Sequence, residues 1–377
     1  MSLFSFVAIY FVMSPVMSTQ QITPTPEKAP PQAPSLAAPK HRRQLPIYSW
    51  AILALLLVLA YDALFSPAMF SIRFEHGRLY GSLIDVLHRG TPVMLLSLGM
   101  TAVIATGGID LSVGSIMAIS AGLSALLLTA NDVATGAPIT PHSAALAILA
   151  GLAAGLLAGM WNGFLVSFLG IQPIIATLIL MIAGRGIAQL ITDSKIPNFH
   201  NATFEFLSNG SFLALPFTIS LAILMTALAV LLTRATALGL FIESIGNNAA
   251  ASEIVGINTK LVRFMAYAFT GLCAGLAGLL AASDIRAGDV FKTGVNIELD
   301  TIVAVAIGGT SLVGGRFSIA GSIIGAITMQ LLKTTIISSS IPPECNLVIE
   351  AAVVIIICLL QSPRTRTTLK RIFSKTQ

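Results

Sequence analysis

Charge is scarce in this chain, whereas apolar side chains are abundant. Only 10% of its 377 residues are charged, 55% are hydrophobic, and the mean hydropathy is +0.88. A soluble domain cannot bury that much apolar surface, so the composition excludes soluble classes and predicts a membrane protein with several spans. The net charge of +5 is small, and the basic residues lie in loops and tails. That distribution indicates membrane orientation rather than nucleic-acid binding.

Cysteine, histidine and catalytic motifs are also few or lacking. The three cysteines have no CxxC or Cys/His spacing, so we predict neither a disulfide framework nor a metal site. The five histidines are scattered, and no Ser/His/Asp or HExxH arrangement occurs. Residues 309–314 begin like a phosphate-binding loop, but Gly315 and Arg316 stand where Lys and Ser/Thr are required. We therefore predict no catalytic site and no cofactor, so any ATP hydrolysis must come from another chain.

Long apolar runs dominate the rest of the sequence. A helix needs about 20 apolar residues to cross a bilayer at a rise of 1.5 Å per residue. This requirement predicts an all-α polytopic membrane protein with about ten transmembrane helices inside one transmembrane domain, residues 46–362. The predicted spans are 47–65, 91–107, 111–129, 143–167, 172–192, 212–233, 260–282, 299–313, 319–337 and 346–361.

The two ends of the chain are predicted to be tails in the cytoplasm. Residues 1–45, rich in Pro, Gln, Thr and Ala, are expected to be disordered, and the basic residues 363–377 form a second tail. Residues 1–16 are apolar but lack the basic start of a signal peptide, so the true start is expected after them. Lys and Arg are more frequent on the side of these tails, which predicts that both termini are cytoplasmic.

A carboxylate interrupts one apolar run. Asp110 lies between Gly107 and Gly108 on one side and Gly114 on the other. An ionised Asp at mid-bilayer costs roughly 2.5–3.5 kcal/mol, so such residues usually face a partner or a water-filled cavity. Two interpretations stay open and are compatible. The stretch is either a break between two membrane helices with Asp110 facing the protein, or a surface turn with Asp110 capping the next helix over Ser112.

Residues 234–260 form the largest internal loop on the predicted cytoplasmic side. Residues 247–255 are rich in alanine and lie between Gly246 and Gly256, which predicts a short amphipathic helix between two breaks. An ordinary surface loop is the alternative, but a helix held in this way is better suited to docking a partner. The residues expected to form the docking element are Gly246, Asn247, Asn248, Ala250, Ala251, Glu253 and Gly256.

Four polar residues within or beside the spans are candidates for lining a solute path: Asp110, Asn162, Arg185 and Gln189. Arg185 lies between small residues in a predicted span. It could donate to hydroxyl groups of the solute or form a structural ion pair with Asp110 or Asp300. The structural role is favoured, because buried arginines are most often paired.

Small residues recur at helix-packing spacing in three predicted spans. The glycines, which share one face in each span, are Gly151, Gly155 and Gly159 in the fourth span, Gly271, Gly275 and Gly278 in the seventh, and Gly321 and Gly325 in the ninth. Such faces allow close contact between helices. We interpret them as packing surfaces and nothing more.

Three separated motifs carry a family resemblance. GGIDLSVG at residues 107–114, GNNAAASEIVGINTK at 246–260 and ELDTIVAVAIGGTSLVGG at 298–315 resemble the permease subunits of bacterial ABC importers for simple sugars, of the ribose, arabinose and galactose type. The resemblance covers residues 45 to 362. The family-type residues outside the docking element are Gly107, Gly108, Asp110, Ser112, Gly114, Glu298, Asp300, Gly308, Gly309, Gly314 and Gly315.

The resemblance implies a subunit that transports and is not itself an enzyme. It implies a place in the bacterial inner membrane, a cytoplasmic ATP-binding subunit, a second permease subunit and a periplasmic sugar-binding protein. Residues 77–85, 177–192 and 342–344 are most similar to permeases of galactofuranose importers, which would make the second permease a non-identical sibling rather than another copy. One departure concerns the docking element, where relatives usually carry Glu-Ala-Ala and then a basic residue, whereas Ala249 and Glu253 stand here.

Two other transport classes share parts of this pattern. A permease for branched-chain amino acids has the same expected architecture, and binding assays on its partner protein would separate the two. An ion-coupled secondary sugar transporter would also have several spans and broken helices, but it would need no partner-docking loop.

Overall fold

A computed structural model describes residues 48–75, 77–131, 136, 139–339, 348, 351–352 and 355. By its contacts the chain divides between Gln44 and Leu45, and only the second of the two units contains described residues. Both predicted tails and most of the predicted span 346–361 lie outside the described residues. Those three expectations therefore stay predictions.

The described part is mostly helical. Its helices are α1 (Ser49–Phe65), α2 (Ser82–Ala105), α3 (Val113–Leu128), α4 (Ala144–Ser167), α5 (Pro173–Ile191), α6 (Ala202–Asn209), α7 (Phe217–Ala235), α8 (Leu238–Asn247), α9 (Ala249–Ile254), α10 (Thr259–Ile285), α11 (Ile297–Ile307) and α12 (Ile319–Ser338). A short 3-10 helix (Pro67–Phe70) follows α1, and there are two antiparallel hairpins: β1 (Ile72–Glu75) with β2 (Arg78–Gly81), and β3 (Ser211–Phe212) with β4 (Leu215–Pro216). The expected all-α fold is therefore correct except for these hairpins.

Five helices of the described part are long and apolar enough to cross a membrane: α4, α5, α7, α10 and α12. Helices α1 and α3 are apolar but shorter. Six predicted spans correspond to α1, α3, α4, α5, α10 and α12 with boundaries that differ by a few residues.

Three predicted spans have different boundaries from those expected. Helix α2 begins before residue 91, at Ser82, because its first turns are polar and the hydropathy pattern omits them. Helix α7 begins after residue 212, at Phe217, because the hairpin of β3 and β4 precedes it. Helix α11 ends at Ile307 rather than near 313, and a glycine-rich turn follows.

Helix α10 lies in the middle of the bundle, against α4, α2 and α3. The predicted glycine faces bring α4 and α10 together. A Cβ built on Gly155 would lie only 2.6 Å from the carbonyl oxygen of Gly271 and 2.7 Å from the Cα of Gly275. Because glycine has no side chain, the two backbones can touch here, and the prediction of a packing face is confirmed.

The chain connections gather at two opposite ends of the bundle. One end, here the hairpin end, holds both β-hairpins, where the Leu79 N–H donates to the Ala214 carbonyl at 2.9 Å. The other, here the junction end, holds α8, α9 and the turns after α2 and α11. At that end the Gly315 N–H donates to the Ala105 carbonyl at 2.9 Å. The grouping agrees with the predicted allocation of loops to two sides of a membrane.

Candidate functional site

Asp110 is fully buried in the turn between α2 and α3. Its Oδ1 accepts hydrogen bonds from the Ser112 N–H at 2.9 Å and from the Ser112 Oγ at 2.6 Å. Asn162, which α4 brings to the same place, donates through Nδ2 to the Ser112 Oγ at 2.7 Å. The carboxylate thus faces the protein interior, as the first interpretation expects, and it binds Ser112, the residue just before α3, without capping the helix by a side-chain hydrogen bond.

Three polar atoms around this turn are buried without a hydrogen-bond partner in the described part of the chain. They are the Asp110 Oδ2, the Asn162 Oδ1 and the Tyr267 Oη. Tyr267 belongs to α10, and its Oη lies 2.5 Å from where a Cβ of Gly108 would be. The sequence reasoning missed Tyr267, although a tyrosine inside an apolar run signals a polar group that needs a partner.

Glycines from all three family motifs meet at the junction end. Gly246 of α8 lies so close to the Ala105 carbonyl and the Gly315 amide that a Cβ would overlap both. Gly314 has φ +104°, which favours glycine, and a Cβ there would lie 3.1 Å from Gly107. We call Gly107, Gly246, Gly314 and Gly315 the glycine junction. It joins α8 directly to the turn that contains Asp110.

The docking element differs in two respects from its prediction. Two helices occupy the region instead of one, since α8 ends at Asn247 and α9 starts at Ala249. Gly246 is not a break, because it lies inside α8 and serves close backbone contact. Asn248 separates the helices and caps α9 by accepting the Ala251 N–H at 3.0 Å. Gly256 follows α9 with φ +94°, as expected for the predicted second break.

The tip of the docking element is an exposed apolar surface. Ile254 is 88% exposed and Val255 is 80% exposed, and Ala250 is exposed as well. The Glu253 carboxylate accepts a hydrogen bond from Thr259 at the start of α10. A contact of 2.8 Å between the Ser244 and Ser252 hydroxyls holds α9 on α8. The element is therefore anchored on one side and open on the other.

Arg185 does not form the expected ion pair with Asp110 or Asp300 among the described residues. Its Nη1 donates to the carbonyls of Thr293 at 2.6 Å and Val290 at 3.2 Å. These carbonyls belong to residues 286–296, which connect α10 to α11 through turns. Irregular backbone inside a membrane protein needs such partners, so Arg185 has a structural role of another kind than predicted.

The remaining family-type residues lie close to this framework. Glu298 is buried, and its Oε2 is 2.6 Å from where a Cβ of Gly114 would be. Asp300 pairs with Lys333 of α12. Gly308 packs against α12, where a Cβ would be 2.5 Å from the Ser322 amide nitrogen, and Gly309 has φ +88°.

Gln189 is half-buried on α5, one helical turn after Arg185. It therefore shares a partly exposed side of that helix with Arg185, whereas Asp110 and Asn162 are inaccessible. Within the described residues no group of three or more His, Cys, Asp or Glu side chains could hold a metal ion.

Comparison with known proteins gives a family and several relatives. Residues 82–358 match the family described as branched-chain amino acid transport system / permease component. The galactofuranose transporter permease protein YtfT of Escherichia coli (strain K12) is 44% identical over 346 residues, 92% of this chain and 98% of that protein. The fructose import permease protein FruF of Bifidobacterium longum (strain NCC 2705) is 40% identical over 322 residues, 84% and 88% of the two chains.

A third relative is more distant. The ribose import permease protein RbsC of Escherichia coli (strain K12) is 30% identical over 318 residues, 83% of this chain and 93% of that protein. No solved structure matches the chain. The resemblance inferred from the three motifs is thereby confirmed.

Proposed function

The chain belongs to the branched-chain amino acid transport system / permease component family, and from that membership we propose that it is the membrane permease of an ATP-driven sugar importer. The observation that carries the proposal is its 44% identity to a galactofuranose permease, extending over 98% of that protein. The proposed place is the bacterial inner membrane, with ten spans and both termini in the cytoplasm. The apolar helices of the described part support a membrane-embedded chain.

The proposed substrate is a monosaccharide, galactofuranose or a related hexose or pentose. The family description names amino acids, but the three relatives compared above are named for galactofuranose, fructose and ribose. These sugars share neutral charge and many hydroxyl groups. Transport of a branched-chain amino acid is the alternative, and an ion-coupled sugar transporter is a second one.

The proposed partner at the junction end is a cytoplasmic ATP-binding subunit. The apolar tip of α9 offers the contact surface, since Ile254 and Val255 are almost fully exposed. Force applied there would pass through α8 to Gly246, and from Gly246 to the Ala105 carbonyl. Because the contacts are between backbone atoms, they transmit movement without flexible side chains. The turn that holds Asp110 follows Ala105 directly in the chain, so the movement would reach that turn.

The proposed substrate path runs along the free side of α5. One face of α5 packs on α3, where the Ser115 hydroxyl donates to the Leu180 carbonyl at 3.0 Å. The other side carries Arg185 and Gln189, and polar groups there are costly in lipid. We therefore propose that a second permease subunit, favoured as a non-identical sibling, covers this side and that the sugar passes between the two.

The four candidate path residues then have different proposed roles. Arg185 holds residues 286–296 through Nη1, and its other guanidinium donors, which bond to none of the described residues, would donate to sugar hydroxyls. Gln189 would contact the sugar from the same side of α5. Asp110 and Asn162 would act indirectly by fixing the turn between α2 and α3, because both are fully buried.

Reconstitution tests the proposal. The permease should be placed in proteoliposomes together with a candidate ATP-binding subunit, a second permease and a periplasmic sugar-binding protein from the same organism. We expect labelled galactofuranose uptake that depends on ATP and on the binding protein. Uptake of leucine instead of sugar would favour the amino-acid alternative. Sugar uptake driven by an ion gradient in the permease alone would contradict the proposal.

A further inference from the structure

A polar cavity of about 240 Å³ opens at the junction end, beside the glycine junction. Three segments line it: the turn after α2 with Gly107 and Gly108, the turn between α4 and α5 with Gln172, and the first turns of α10 with Arg263 and Tyr267. Neither the family motifs nor the proposed sugar path assigns a role to this cavity.

Tyr267 is an unsatisfied donor on the wall of the cavity. The side chain is 1% exposed, and its Oη has no hydrogen-bond partner among the described residues. A buried hydroxyl without a partner loses its bonds to water and gains nothing in return. A ligand oxygen in the cavity would supply the missing acceptor.

Arg263 is a half-buried cation on the same wall. Within the described part of the chain it forms neither a hydrogen bond nor an ion pair. It lies one helical turn before Tyr267 on α10, so both groups face the same space. A guanidinium presents parallel N–H donors that match a carboxylate or phosphate.

The start of α5 also lines the cavity, through Gln172 and Pro173. Its cap residue, Gln172, makes no side-chain cap hydrogen bond, and Pro173 occupies the start of the helix. Pro173 has no N–H and the Ala176 N–H donates to the Gln172 carbonyl at 3.0 Å, so the Ile174 and Ile175 amides are the two left as donors at the positive end of the helix dipole. Helix N-termini of this kind attract phosphate groups.

We propose that this cavity binds the phosphate group of a small ligand. The Arg263 guanidinium would neutralise the charge, the Tyr267 hydroxyl would donate one hydrogen bond, and the start of α5 would supply the rest. The Asp110 carboxylate lies behind Gly108 and opposes an anion, so the affinity should be modest. The phosphate could belong to a soluble ester or to an anionic phospholipid at the cytoplasmic surface, since both present the same oxygens.

The test uses the full-length permease in nanodiscs of phosphatidylcholine, with its thermal unfolding measured against inorganic phosphate at constant ionic strength. A second set of nanodiscs contains phosphatidylglycerol. We expect stabilisation either by soluble phosphate or by phosphatidylglycerol. The first result identifies a soluble ligand and the second a lipid headgroup, and both support the site.

Three variants make the test specific. In Arg263→Gln, about tenfold more ligand should be needed to reach the same stabilisation, because a charge-assisted contact is lost. Tyr267→Phe should weaken it several-fold without destabilising the empty protein, because the lost hydroxyl has no partner there. Arg234→Gln is the matched control, an exposed arginine at the end of α7 outside the cavity; it should change nothing.

Two results would overturn the proposal. One is that neither phosphate nor phosphatidylglycerol stabilises the wild-type protein. The other is that Arg234→Gln weakens the effect as much as Arg263→Gln, which would mean general electrostatic attraction. Neither result bears on sugar transport, so the proposed function and this site fail independently.

Discussion

At the scale of single residues, Asp110 and Arg185 are polar side chains inside the bundle that hold irregular backbone. Asp110 binds the turn before α3, and Arg185 binds carbonyls of residues 286–296. Their chemistry was visible in the sequence, but their partners were not. The expected partner of Arg185 was a carboxylate, whereas the actual partners are backbone carbonyls, which no sequence pattern marks.

Replacing Asp110 tests whether hydrogen bonding or charge matters in the turn. Asp110→Ala removes the acceptor of the Ser112 N–H and hydroxyl, so it should lower the free energy of unfolding by about 1–3 kcal/mol. Asp110→Asn keeps one oxygen acceptor and changes only the oxygen that has no partner in the described residues. Asp110→Asn should lower the free energy of unfolding clearly less than Asp110→Ala does. Unfolding of the purified variants measures both, and equal losses would mean that the negative charge itself is required.

At the scale of helices and turns, the docking element combines rigidity with an open surface. Gly256 allows the chain to leave α9 with φ +94°, and a Cβ there would meet nothing within 4 Å. A substitution of Gly256 would therefore strain the backbone conformation without creating a steric clash. Ile254 and Val255, by contrast, affect the surface without supporting the fold.

Replacing Gly256 tests the role of the backbone after α9. Gly256→Val forces a β-branched residue into a left-handed conformation and should misplace α9. We expect weaker assembly with the ATP-binding subunit or loss of its stimulated hydrolysis. Gly256→Asn is the matched variant, because Asn tolerates positive φ better, and it should keep more activity. If Gly256→Val retains full ATP hydrolysis and sugar uptake, α9 does not couple the ATP-binding subunit to transport.

Changing the exposed tip tests where the ATP-binding subunit docks. The double variant Ile254→Ser and Val255→Ser removes apolar surface that is exposed in the free chain. The permease should stay folded but lose most of its co-purification with the ATP-binding subunit. Leu213→Ser changes an equally exposed residue at the hairpin end and should bind normally. Normal assembly of the double variant would place the docking surface elsewhere.

Much of the element order follows from the sequence, and the exceptions have physical causes. The start of α2 was missed because Asp85, His88 and Arg89 break the hydropathy pattern, although a helix tolerates them at its N-terminal end. The hairpins are too short to leave an alternating pattern. The glycine junction could not be predicted, because the contact between Gly246 and Ala105 depends on tertiary packing that one sequence does not encode locally.

At the scale of the whole molecule, the two ends of the bundle should face two different compartments. A cysteine in place of Leu213 at the hairpin end should react with an impermeant thiol reagent from outside the cell. A cysteine in place of Ala250 in α9 should react only after the membrane is made permeable. Both positions are exposed, so access depends on the side alone. The reverse pattern would invert the proposed orientation.

The central claim is that ATP hydrolysis reaches the sugar path through the glycine junction. The most direct measurement is the number of sugar molecules taken up per ATP hydrolysed in proteoliposomes that contain the complete importer. Gly246→Ala leaves the α9 tip unchanged but inserts a methyl group against the Ala105 carbonyl, whereas Leu240→Ala changes an exposed residue of the same helix. The account predicts that the assembled Gly246→Ala complex still hydrolyses ATP while sugar uptake per ATP falls at least about tenfold, a coupling loss of roughly 1.4 kcal/mol. Unchanged uptake per ATP in Gly246→Ala, equal to that of Leu240→Ala, would contradict it.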